Sequence, residues 1–318
     1  MSHHTGLHDS DEIKGIVDQE IPSEVNIYHK KEKLNRPGLN IQANDFHHLA
    51  RMLFSCLVDA DFLDTEAFMD RESYTLRQNK DALNDLLPLL ENKLKELKAK
   101  ADSSEINIIR NQIQQQCLKM ADTPTGFYSL TVPTGGGKTL SSLVWAIKHA
   151  IKNGQKRVII AIPYTSIIVQ TASILRSIFG EENVLEHHSC VDLEQIKDER
   201  LKEKMKLATE NWDYPIIVTT NVQLFESMFC NKPSACRKLH NIVNSVIILD
   251  EVQTLPMDYL QPIVDSLKTY NKLFNVSFLF TTASQPVLSG LIEGCNPKAA
   301  FNGIDHITEI IPDDFKLP

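Results

Sequence analysis

Val132-Pro133-Thr134-Gly135-Gly136-Gly137-Lys138-Thr139 is the stretch whose reading decides the fold. An apolar run, Phe127–Val132, leads into it and an amphipathic segment leads out. That order predicts a strand, a tight turn and a helix. The glycines remove the Cβ atoms that would obstruct the turn, so successive N–H groups can point at phosphate oxygens. The N-terminus of the following helix adds the positive end of its dipole. In such a loop Lys138 reaches the β- and γ-phosphates of a nucleoside triphosphate, and the Thr139 hydroxyl is a ligand for Mg2+. Val132 stands where the strict signature has glycine, at its most tolerant position. The eight residues Val132, Pro133, Thr134, Gly135, Gly136, Gly137, Lys138 and Thr139 are therefore the candidate site for ATP with Mg2+.

Outward from the loop, short apolar runs alternate with amphipathic stretches. Arg157–Ile162, Ile216–Thr219, Ser245–Leu249 and Val276–Phe280 read as further strands of a doubly wound parallel α/β sheet. The β-branched content of Val158-Ile159-Ile160 and Val246-Ile247-Ile248 suits strands covered on both faces. Val246–Leu249 ends in Asp250-Glu251, which places two carboxylates at the carboxyl edge of the sheet, where phosphates bind. Asp250 is positioned to hold Mg2+ through water, and Glu251 to orient or deprotonate an attacking water. The two motifs together predict a nucleotide hydrolase.

The first part of the chain reads differently. Asn44–Leu63 repeats apolar residues at spacings of three and four, as a helix does. Residues 1–79 read as helical, with a break at Arg36-Pro37-Gly38. Lys80–Met120 reads as one or two long helices with a leucine stripe from Leu83 to Leu97, a packing face or connector. Pro88 marks the place for a kink or division. Three segments result: residues 1–79, 80–120 and 121–318.

Composition narrows the class. The 318 residues, 42% hydrophobic and 23% charged, suit globular domains. No apolar run reaches 18 residues, so no membrane span is expected, and the N-terminus lacks the layout of a secretion signal. A cytoplasmic location follows from the ATP loop, with six scattered cysteines as reduced thiols. Cys230, Cys236 and His240 invite a metal reading, but their spacing matches no standard zinc pattern. His187, His188 and Cys190 are expected in a loop. A net charge of −8 argues against a coat on nucleic acid, not against a groove that grips one strand.

Longer wording carries a resemblance. Asp250-Glu251-Val252-Gln253 resembles motif II of superfamily 2 helicases, and Thr282-Ala283-Ser284 resembles motif III. Pro163–Ile168 with Gln170 resembles motif Ia, and Thr219–Glu226 resembles motif Ib. Over residues 110–290 the wording is similar to the type I CRISPR-associated helicase–nucleases. The resemblance implies a RecA-like helicase lobe with Lys138, Asp250, Glu251 and Gln253 as catalytic residues. It also implies backbone contacts from Thr165, Gln170, Thr220 and Asn221 to single-stranded DNA, and work alongside a CRISPR effector complex.

That family also carries a histidine–aspartate (HD) nuclease. His3-His4-Thr5-Gly6-Leu7-His8-Asp9 and Ser55–Asp61 resemble its later part. The resemblance implies His3, His4 and Asp61 as ligands of a divalent transition metal, with Asp59 as the alternate. The family's earlier histidine motifs and second helicase lobe have no counterpart in this sequence. The expectation is therefore Mg-ATP binding, slow hydrolysis and no processive unwinding, unless a partner chain supplies the missing halves. Two other readings stand beside it: an inactive fragment or split-enzyme subunit, and a translocase of the restriction type.

Overall fold

The apolar runs become strands β1 (Phe127–Thr131), β2 (Arg157–Ile162), β4 (Ile216–Thr220), β5 (Ser245–Asp250) and β6 (Ser277–Thr282). Two more join them, β3 (Val184–His187) and β7 (Ile307–Glu309). A computed structural model of the chain describes residues 41, 45–77, 80–133, 135–189, 198–282 and 307–312. The seven strands form one sheet in the order β3-β4-β2-β5-β6-β1-β7, and every pairing is parallel. This is the RecA-like doubly wound α/β sheet expected from the sequence. Register is pinned at the centre, where Ile159 lies beside Ile217 on one side and Ile247 on the other.

Alternation along the strands sends side chains into two cores. Val158, Ile160, Val246, Ile248 and Leu279 face one layer of helices. That layer holds α3 (Leu83–Lys100), α4 (Glu105–Met120), α5 (Lys138–Lys152) and α6 (Thr165–Phe179). Ile159, Ala161, Ile217, Ile247, Phe278 and Phe280 face the other. There the sheet meets α7 (Glu199–Asn211), α8 (Asn221–Phe229), α9 (Pro233–Cys236), α10 (Leu239–Ile242) and α11 (Leu260–Phe274). The leucine stripe proves to be a packing face: Leu86 and Leu90 of α3, with Ile113 and Cys117 of α4, are wholly buried. Burying a leucine side chain contributes about 1.5–3 kcal/mol, so these helices are held firmly on the sheet. Helix α3 runs through Pro88 without a break.

The N-terminal helix α1 (Phe46–Met69) docks on the second layer through Leu49, Met52 and Phe54 and through buried polar groups. Ser55 donates to the Cys236 carbonyl at 2.6 Å, and buried Asp59 pairs with Arg237 at 2.7 Å. Arg77, just after the short helix α2 (Arg71–Leu76), binds Glu66 at 2.7 Å and Glu210 at 2.5 Å. No described helix is long and apolar enough to cross a membrane.

Two strands escaped the sequence reading. β3 is four residues, two of them Glu186 and His187, and β7 is three. Both are edge strands, too short and too polar for an apolar run to announce them. In consequence His187 ends a strand rather than lying in a loop. His188 is buried against Glu186 at 2.9 Å.

Candidate nucleotide site

The phosphate loop leaves β1 at the carboxyl edge of the sheet. Gly135 and Gly137 have φ of +83° and +80°, where an L side chain is strained. At Gly136 a Cβ would lie 2.5 Å from Val132 Cγ1 and 3.0 Å from the Pro133 carbonyl, so the turn admits only glycine. Thr134 lies outside the described residues. Helix α5 begins directly at Lys138, and its first intrahelical bond runs from Ser141 N to Gly137 O at 3.1 Å. Helix geometry leaves the N–H groups before it open to an anion.

Sheet order assembles the rest. β6 lies between β1 and β5, so Lys138 reaches across the end of β6 to the second motif. Its Nζ is 3.0 Å from Asp250 Oδ1 and 2.5 Å from Glu251 Oε1. Burial alone would lower the Lys138 pKa. Hydrogen bonding to Glu251 and the charge of Asp250 outweigh that and raise it, so the ammonium stays charged. Thr281 on β6 donates to Asp250 Oδ1 at 2.5 Å, and Gln253 Nε2 donates to Glu251 Oε2 at 2.6 Å. Glu251 itself has left-handed backbone, φ +47°, held where Thr254 N and Oγ1 donate to its carbonyl at 2.9 and 2.8 Å.

The residues present suit a magnesium nucleotide. Carboxylate and hydroxyl oxygens are hard donors for Mg2+, the helix start and Lys138 suit phosphate, and the glycines leave room for it. Three neighbours of this site carried no motif. Thr281 adjoins the motif III wording but acts across strands. Glu309 of β7 accepts from Thr131 Oγ1 at 2.9 Å beside the loop. Arg110 of α4 donates from Nε to the Gly135 carbonyl at 2.9 Å.

The candidate DNA residues gather at the same edge, since β2 and β4 pair with Ile162 beside Thr220. Thr165 opens α6, and Gln170 is exposed one turn further on. Thr220 is the N-cap of α8, its Oγ1 accepting from Gln223 N at 2.9 Å. Asn221 is buried, and its Oδ1 has no protein partner among the described residues.

The nuclease candidates do not meet within the described residues. His3 and His4 lie outside them. Asp61 is exposed on α1, while Asp59 faces inward onto Arg237. No group of three or more possible metal ligands forms among the described residues. Cys230 and Cys236 bring their sulfurs to 3.3 Å, while His240 turns to Ser55, Asn241 and Asp59.

A phosphate loop at one strand end, facing an Asp-Glu pair two strands away in a parallel sheet, is the arrangement of a RecA-like nucleotide-binding lobe. A family model described as DEAD/DEAH box helicase matches residues 111–289, more than half of the chain, and the chain belongs to that family. It is similar to the CRISPR-associated nuclease/helicase Cas3 of Haloferax volcanii, 30% identical over 188 residues, covering 53% of this chain and 20% of that protein. It is also similar to the Cas3 of Methanothermobacter thermautotrophicus, 25% identical over 175 residues, 52% of this chain and 20% of that protein. The chain thus spans about a fifth of the length of these relatives. Among solved structures, that of T. fusca Cas3-ADP superposes with a TM-score of 0.48 at 18% identity, over 57% of this chain and 22% of that one.

Proposed function

We propose that this chain is the ATP-binding lobe of a CRISPR-associated DNA helicase or translocase that moves on single-stranded DNA. The observation that supports it best is Lys138 meeting Asp250 and Glu251 across β6. The two carboxylates balance the lysine charge. With Mg-ATP bound, Lys138 would hold the phosphates, Asp250 and Thr139 would hold the metal, and Glu251 would orient the attacking water. Mg2+ supplies charge neutralisation at the phosphates. Glu251 takes the water's proton, and Gln253, bound to its second oxygen, fixes the carboxylate's direction. Thr165, Gln170, Thr220 and Asn221 line the strand-facing edge and contact backbone, which sets position but not sequence. Asp61, with His3 and His4, is assigned to a segment of the HD nuclease type and would serve there as ligand to a divalent transition metal.

Two substitutions test the nucleotide reading. Lys138→Ala removes the phosphate cation, and nucleotide affinity should fall about 100-fold or more. Glu251→Gln keeps the side chain's shape and should bind Mg-ATP within about threefold of the parent, while hydrolysis falls about 100-fold or more. Equilibrium binding of a fluorescent ATP analogue and a phosphate-release assay measure the two effects. Full hydrolysis by Glu251→Gln would show that the Glu251 carboxylate is not the general base.

A further inference from the structure

We infer that Arg110 is a positioning residue of the nucleotide site, holding the phosphate loop in its anion-binding conformation from a helix outside the loop. The inference rests on the nucleotide reading above. Arg110 lies 25 positions before Gly135, on α4, yet its Nε donates to the Gly135 carbonyl at 2.9 Å. Its Nη1 donates to Asn107 Oδ1 at 3.1 Å, one helical turn back. Asn107 in turn donates to Asp102 Oδ1 at 2.7 Å, so the guanidinium is aimed by a chain of bonds from the α3–α4 turn. Helix α4 is itself anchored by Ile113 and Cys117, both wholly buried.

All three glycines of the loop face this helix. A Cβ on Gly135 would meet Ile106 at 4.0 Å, one on Gly136 would meet Ile113 at 3.7 Å, and one on Gly137 would meet the Arg110 stem at 3.4 Å. A glycine-rich loop pre-organises poorly by itself, because its peptides can rotate at low cost. Each peptide turned the wrong way presents a carbonyl oxygen to a phosphate. The peptide between Gly135 and Gly136 is held at both ends. Its N–H donates to Pro133 O at 3.0 Å, and its carbonyl is drawn outward by Arg110. The N–H groups at the start of α5 are then left to the ligand. Arg110 has no carboxylate partner among the described residues, so its charge adds to the field of the loop.

The test uses the full chain with mant-ADP and mant-ATP in Mg2+, measuring Kd for the parent, Arg110→Ala, Arg110→Lys and Lys138→Ala. Nucleotide-free melting of each variant is followed alongside. Losing one charge-assisted bond should weaken ADP and ATP alike by about 10-fold in Arg110→Ala. The nucleotide-free melting midpoint should stay that of the parent. Lysine should recover part of the loss, since one ammonium can reach the carbonyl but cannot share itself with Asn107 in the same plane. Parent-like ADP binding by Arg110→Ala, with Lys138→Ala still defective, overturns this inference alone. A loss confined to ATP overturns it too, by making Arg110 a γ-phosphate ligand. So does a loss matched by a lower nucleotide-free midpoint, which would mark a role in folding only. If the parent binds neither probe, the nucleotide reading fails and takes the inference with it.

Discussion

Glu251 holds a left-handed backbone with φ +47° at the point where the chain leaves β5. For a residue with a Cβ this conformation costs about 1–3 kcal/mol, and it persists only where the surroundings impose it. Here Lys138 and Gln253 hold the carboxylate, and Thr254 holds the carbonyl. The neighbouring Asp250 is oriented differently, by Thr281, which is 1% exposed and donates to it from β6. Thr281→Val keeps the shape of the strand and removes that bond. Partners that orient a metal-facing carboxylate typically shift metal affinity by about 10–100-fold. The Mg2+ concentration for half-maximal ATP hydrolysis should therefore rise about 10-fold in Thr281→Val, with little change in fold. A magnesium titration of the hydrolysis rate checks this, and an unchanged midpoint removes Thr281 from the site. Lys138, Asp250 and Glu251 were legible in the sequence because each sits in a run whose local pattern announces it. Thr281 and Arg110 were not, because they act through sheet order and helix packing, which no local pattern encodes.

At the scale of elements, helix α1 adds buried polar pairs to apolar contacts of the kind that hold α3 and α4. Its apolar periodicity was legible, yet Phe46, Leu53 and Leu57 are exposed, while Ser55 and Asp59 are buried. Periodicity finds a helix; it does not say which face a neighbour takes when that neighbour offers an arginine. Asp59 accepts from Arg237 Nε at 2.7 Å and from Asn211 Nδ2 at 3.2 Å. Arg237 also lies over the Phe62 ring, 4.6 Å from its centroid. Arg237 keeps a second carboxylate, Glu210 at 3.0 Å, so removing Asp59 costs the lost charge-assisted bonds, about 1–3 kcal/mol, rather than a stranded charge. Asp59→Ala should lower stability by that order, and Asp59→Ala with Arg237→Met should recover part of it. Urea unfolding of the single and double variants measures the coupling. Additive losses would show that the pair does not hold α1. The edge strands β3 and β7 were lost to the sequence for a related reason, since a strand of three or four residues leaves too little alternation to detect.

At the scale of the whole molecule, burial holds His48, His149 and His187 neutral at separate points of the described fold. His48 of α1 packs edge-on to Tyr270 of α11, His149 of α5 stacks on Trp145, and His187 ends β3 against Trp212. Burial pushes each pKa down to about 4, and nearby His47 and Arg51 add to this for His48, as Lys238 and His188 do for His187. At His149 the bonding pattern agrees: Nδ1 meets the Ala121 carbonyl at 3.2 Å, which leaves Nε2 to accept from Ser277 at 2.9 Å. A proton on Nε2 would break that acceptor role. The unfolded chain binds these protons near pH 6.5, and the folded chain only near 4. Stability from the neutral histidines is therefore complete above pH 6.5, declines as pH falls, and is gone below about pH 4. Each site contributes about 1–3 kcal/mol over that window. The melting midpoint should drop clearly between pH 7.5 and pH 4.5. His149→Gln should melt lower than the parent at pH 7.5, where it loses packing against Trp145, but its midpoint should fall less on acidification. Scanning calorimetry of both proteins across that range measures the difference. An equal fall in both would mean that His149 takes up its proton without cost, and that the acid sensitivity lies in other groups.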